Sequence, residues 1–198
     1  MQHPLEFIPN EYRQRIFFTF LALTLILFAI FRLLDQPLQT ESAPNGIVSF
    51  ELAGNPQTAR AITDSWKQMS LLLSAVAGQP DANIVNVPYV FAAFGLGIDY
   101  LFMPVYALAL ASGTLLAARK HEGIVHSIGA LAGYGAFAAA IFDAMENYTL
   151  LQILIGNLQP SYPAIAAFCA VMKFGLIVFG LIYGLSAWLS PKTGLSLS

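Results

Sequence analysis

Residues 123–155, GIVHSIGALAGYGAFAAAIFDAMENYTLLQILI, decide the fold. One helix of this length crosses a bilayer core of ~30 Å, which takes roughly 20 apolar residues at about 1.5 Å each. Within the stretch Gly129, Gly133, Ala136, Ala140, Asp143 and Asn147 recur at steps of four and three, so they share one helical face. Small residues let helices approach closely inside a membrane. The seam therefore faces protein, and so does the acid at its end.

Three further segments have the same character, at residues 16–34, 89–118 and 164–189. The expected fold is an all-α membrane protein: a four-helix transmembrane bundle forming one membrane domain over residues 1–198, with an extracytoplasmic amphipathic helix between spans one and two. Composition agrees, because 57% of the residues are hydrophobic and 10% charged, with a mean hydropathy of +0.66, whereas a soluble domain has about a quarter of its residues charged. A net charge of −2 without a basic run gives no footprint for nucleic acid. The first span exceeds the ~7 to 15 residues of a signal-peptide core and lacks a following small-residue cleavage pattern. Cys169, alone in an apolar run, is expected to be a packing residue.

Lysine and arginine near the span ends set the orientation. Arg13 and Arg15 flank span one, Arg119 and Lys120 fill the turn between spans two and three, and Lys192 follows span four, while residues 156–163 carry no basic residue. This predicts a multi-pass cell-membrane protein with both termini cytoplasmic. Arg32 dissents, and is expected to snorkel or to pair with Asp35.

Residues 35–88 are then extracytoplasmic. Pro44, Asn45 and Gly46 predict a turn, residues 47–52 a short extended piece, and Asn55 followed by Pro56 a helix start. In that helix Ala59, Ile62, Trp66, Met69, Leu73 and Val76 form one apolar stripe, with Arg60, Asp64, Lys67 and Ser70 elsewhere; Gly78 and Pro80 end it. The expected role is a helix lying on the bundle or in the interface, with Trp66 as an anchor.

Asp99 in span two, Asp143 and Glu146 in span three, and Lys173 in span four fall well inside apolar segments. Each costs ~2.5–3.5 kcal/mol near mid-membrane, so they are expected to face one another or a hydrated cavity. Asp99, Asp143 and Lys173 each lie ~15 Å inside the outer end of their helix, which predicts one shared layer. Asp99 shares a face with Gly95 and Tyr106, and Lys173 with Gly180 and Gly184. Pro104 is expected to kink span two or free a carbonyl near this layer. Three acids and one lysine in low dielectric supply both a proton donor and a proton acceptor, or else a purely structural polar network. His126 lies ~25 Å along the same helix from Asp143, so no metal site is expected, and no cofactor is implied. The Asn147-Tyr148-Thr149 glycosylation triplet sits at membrane depth, where it is accidental.

Phe50-Glu51-Leu52-Ala53, then Trp66, then Gly97-Ile98-Asp99-Tyr100-Leu101-Phe102 and Asp143-Ala144-Met145-Glu146-Asn147 resemble a family of uncharacterised bacterial four-span membrane proteins. The resemblance covers residues 49–148 and implies no activity. A fainter likeness joins Asp99, Phe102, Pro104, Tyr106, Ala107 and Asp143 to the EXPERA group of sterol isomerases and sigma-2-type receptors. That likeness implies a hydrophobic or amine-bearing ligand held near buried acids; Lys173 has no counterpart in it.

The functional expectation is binding of a lipid-like small molecule, with isomerisation or protonation as its chemistry. Asp99 and Asp143 are the acid/base candidates, and Glu146, Lys173, Tyr106, Phe102 and Asn147 the ligand-binding ones. Membrane lipid is the expected partner, with an oligomer as a further expectation. The alternatives are a non-enzymatic membrane subunit or assembly factor, and ion or proton translocation by an oligomer.

Overall fold

A computed structural model describes residues 1–76 and 87–190. The expected helix stop at Gly78 and Pro80, and Lys192, lie outside the described residues. The fold is all-α, with no strand among the described residues, and six α-helices run in the order α1 (Asn10–Asp35), α2 (Ile47–Glu51), α3 (Pro56–Val76), α4 (Val87–Ala118), α5 (Gly123–Leu154) and α6 (Tyr162–Leu189). Four of these, α1, α4, α5 and α6, are long and apolar enough to cross a membrane. They are the four expected spans, with α1 starting six residues earlier than its apolar run because the polar residues from Asn10 to Arg15 are helical too.

The chain forms two compact units. The first holds the described residues of Met1–Leu27, Phe102–Asp143 and Val171–Ser198, the second those of Phe28–Leu101 and Ala144–Ala170. Each takes a segment of all four long helices.

In the first unit, Leu5, Ala111, Leu115 and Ala136 make one core and Ala117, Ala118, Ala132, Tyr183 and Ala187 another. Its small residues set helix spacing as expected: Gly129, Gly133 and Ala136 are all buried. The turn between α4 and α5 does more than carry charge. Lys120 donates to the Trp188 carbonyl at 3.1 Å and His121 Nε2 lies 2.8 Å from the Ala187 carbonyl, so two basic residues cap the last turn of α6.

The second unit is built around Trp66. With Leu38, Phe50, Ile62, Leu96, Leu150 and Ile153 it forms the largest core. Trp66 is 0% exposed and its indole N–H donates to the Leu38 carbonyl at 2.8 Å. It anchors α3 as a residue of this core. The expected stripe of α3 explains this, because Ala59, Ile62 and Trp66 are buried while Arg60, Asp64 and Lys67 are exposed. The start of α3 is as predicted: Asn55 Oδ1 accepts the Thr58 N–H at 2.9 Å and Pro56 occupies the first turn.

Residues 47–51 are helical, not extended. The reason lies twelve residues upstream, where Asp35 Oδ1 accepts the Ile47 N–H at 2.7 Å and supplies a negative charge to the new helix start. Gly46 makes this possible. Its φ of 57° suits glycine, and a Cβ there would overlap the Asp35 carboxylate. Asp35 thus serves as a cap instead of pairing with Arg32, which is exposed.

Candidate functional site

Both units bury charged side chains. In the first unit, Lys173 Nζ donates to Asp143 Oδ1 at 2.9 Å, and the Tyr106 hydroxyl donates to Asp143 Oδ2 at 3.0 Å. Asp143 is 2% exposed and Lys173 5%. Three helices therefore converge on one carboxylate: α5 supplies it, α6 the ammonium and α4 the phenol. Both carboxylate oxygens are engaged, which holds the acid in place. Phe102 lies 5.2 Å from the Tyr106 ring, tilted against it.

In the second unit, the Asn147 amide donates to Asp99 Oδ2 at 2.8 Å and to the Leu96 carbonyl at 3.2 Å. Asn147 and Glu146 are fully buried, and Asp99 is half-buried. Of the three side chains expected in one layer, Asp143 is paired with Lys173, and Asp99 is hydrogen-bonded to Asn147. Asn147 lies four residues beyond Asp143, about 6 Å along α5. Both hydrogens of the Asn147 amide are spent on α4, which removes it as a glycan acceptor. Phe94 and Tyr100 of α4 are exposed, and Pro104 sits within a helix that continues on both sides of it. Among the described residues, no group of three or more His, Cys, Asp or Glu side chains is placed to hold a metal ion.

Two further places carry polar chemistry that sequence reasoning missed. The first is His3. The N-terminal segment folds into the first unit, where the His3 ring is 2% exposed. Its Nδ1 accepts the Leu5 N–H at 3.1 Å, and its Nε2 lies 3.2 Å from Thr114 Oγ1. Thr114 gives its own proton to the Ala111 carbonyl, so Nε2 is the donor and the ring is neutral. Gly133 leaves room for the imidazole, which a Cβ at that position would overlap. Arg13 ties the segment down through the Ile8 carbonyl at 2.7 Å, and the Glu6 carbonyl at 2.8 Å.

Burial, against the opposing pull of Glu6 and with smaller contributions from His126 and Arg13, lowers the His3 pKa from 6.5 to about 4. An unfolded segment binds the proton near 6.5 and the folded one only near 4, so the docked segment is fully stable above pH 6.5 and weakens as pH falls between those values. The loss amounts to about 3 kcal/mol. The expected result is a low protection factor at the Leu5 amide at pH 4 and a high one at pH 7.5, each taken relative to the intrinsic exchange rate at that pH. A His3→Phe variant whose Leu5 exchange, corrected for intrinsic rate, keeps the same pH dependence contradicts the assignment.

The second place is a cleft in the second unit of about 510 Å³, lined by Arg60, Thr63, Asp64 and Lys67 of α3, Tyr89 of α4, and residues 153–156 and 158. One wall is charged and the other apolar. At the apolar wall α5 ends in a Schellman turn: Asn157 N–H reaches the Gln152 carbonyl at 2.9 Å and Gly156 N–H the Ile153 carbonyl at 3.0 Å. The charged wall was visible in the sequence as the polar face of α3. What it faces was not, since nothing local ties Arg60 to Leu158.

Four membrane-length helices that bury an ion pair, with an amphipathic helix between the first two, define an all-α multi-pass membrane protein. No protein-family model matches the chain, and neither a curated protein nor a solved structure matches it.

Proposed function

We propose that this protein binds a lipid-like amphiphile in the cleft beneath α3, within the cell membrane and with both termini cytoplasmic. The observation that carries this reading is the cleft itself. Its volume of about 510 Å³ falls in the ~300–1,000 Å³ range of small-molecule sites, and its lining divides into a charged side and an apolar side, as an amphiphile does.

Acid/base chemistry at Asp99 and Asp143 draws less support. Asp143 already receives an ammonium and a phenol, and a general acid or base needs an accessible oxygen. The Asp143–Lys173–Tyr106 group fits better as the lock that sets the register of α4, α5 and α6. Orientation rests on Arg15, Arg119 and Lys120, which cluster at ends opposite the lysine- and arginine-free turn at 156–163.

The test is to purify the protein in mild detergent, extract what it retains and identify it by mass spectrometry. The expected result is one enriched amphiphile class, reduced severalfold by Leu158→Trp, which fills the cleft from its apolar side. A retained mixture that mirrors the bulk membrane, and that Leu158→Trp leaves unchanged, overturns the proposal.

A further inference from the structure

The cleft carries more charge than the protein itself neutralises. Arg60, Asp64 and Lys67 lie at steps of four and three on the exposed face of α3, giving two cations and one anion. Lys67 is 3.5 Å from Asp64, and its ammonium sits 5.7 Å from the Tyr89 ring centroid. Tyr89, and after it Asp64, raise the Lys67 pKa above its usual value, so it is a cation at any physiological pH. The Arg60 guanidinium has no ion pair or side-chain hydrogen bond among the described residues. A helix C-terminus is one natural counter-charge for such a group. Here the Gln152 and Ile153 carbonyls are taken by the Schellman turn, and no carbonyl of residues 153–156 accepts a hydrogen bond from Arg60.

From this we infer that Arg60 and Lys67 bind the phosphate headgroup of an anionic membrane lipid, whose chains lie along Ile155 and Leu158. The inference rests on the cleft being the amphiphile site and adds the headgroup class. A guanidinium presents two parallel N–H donors that match a phosphate, and charge-assisted bonds of this kind are about twice as strong as neutral ones. Lys67 adds a point charge on the opposite side of Asp64 in the helix. Asp64 opposes the anion and limits affinity, so it sets the sign of one test. The apolar wall selects a lipid over a free anion, because phosphate alone gains nothing from Leu158 or Ile155.

The experiment uses the full chain in neutral detergent and reads bound adducts by native mass spectrometry. The probes are short-chain phosphatidylglycerol, phosphatidylcholine of the same chain length, and inorganic phosphate. Phosphatidylglycerol is expected to bind at least roughly tenfold tighter than phosphatidylcholine, a preference lost in the R60Q/K67Q double variant. D64N is expected to tighten phosphatidylglycerol binding severalfold, an effect that a purely structural role for these surface residues would not produce. Equal binding of the two lipids, unmoved by R60Q/K67Q, overturns the headgroup assignment while leaving the cleft an amphiphile site. Inorganic phosphate binding as tightly as phosphatidylglycerol overturns the lipid and assigns a free anion instead. If neither lipid binds, the headgroup assignment and the cleft reading fall together.

Discussion

Replacing Lys173 by methionine is expected to destabilise the folded helices by about 3–5 kcal/mol, far more than the loss of an ordinary hydrogen bond. The size follows from burial. Asp143 and Lys173 are 2% and 5% exposed and meet at 2.9 Å, so methionine leaves a buried carboxyl group whose remaining partner among the described residues is the Tyr106 phenol. A hydrogen bond between membrane helices averages only ~0.6 kcal/mol, because unfolded helices in lipid find other partners. Stranding a charge has no such relief. The second arm is the double variant D143L/K173M, which removes both charges and keeps similar volume. It is expected to recover most of the loss, since a buried pair and its apolar replacement are often close in energy. Unfolding in mixed micelles with increasing sodium dodecyl sulfate measures both. If K173M stays within 1 kcal/mol of the parent, or the double variant is as damaged as the single, the pair is not the lock inferred from its geometry.

What the sequence made legible, and what it hid, divides by distance along the chain. Span positions, the buried seam of Gly129, Gly133 and Ala136, and the Asn55–Pro56 start of α3 depend on neighbours a turn away, and all were readable. The pairing of Asp143 with Lys173 was readable too, because two opposite charges in apolar helices have few other options. Asp99 shows the limit of that logic. Its hydrogen-bond partner Asn147 carries no charge, so nothing in the charge pattern announces that contact. The helical α2 was hidden because Val48 and Phe50 flanking Ser49 look like an extended strand, while the cap that makes it a helix is Asp35. His3 was hidden more deeply, since its site needs Thr114 and the absence of a side chain at Gly133. The cleft is of the same kind: Arg60 and Lys67 looked like an ordinary solvated face until the end of α5 stood opposite them.

Trp66→Ala is expected to cost about 3–5 kcal/mol, the usual range for emptying a buried aromatic site. The ring is 0% exposed and meets Phe50 edge-on at 5.3 Å, and its N–H satisfies the Leu38 carbonyl at 2.8 Å. Two losses therefore add, a cavity among Phe50, Ile62 and Leu150 and an orphaned carbonyl. Trp66→Phe separates them. It keeps most of the packing and removes the donor, so it is expected to cost about 1–3 kcal/mol. An interfacial anchor behaves differently: a tryptophan at the lipid headgroups contributes through its position in the membrane, and replacing it with phenylalanine changes stability little. Tryptophan fluorescence gives an independent reading in a Trp188→Phe background, where Trp66 is the sole emitter. The buried ring is expected to emit in the blue and to resist quenching by acrylamide and by lipids brominated near the headgroup. Strong quenching from the headgroup depth would return Trp66 to the interface and separate α3 from the core that its apolar stripe builds.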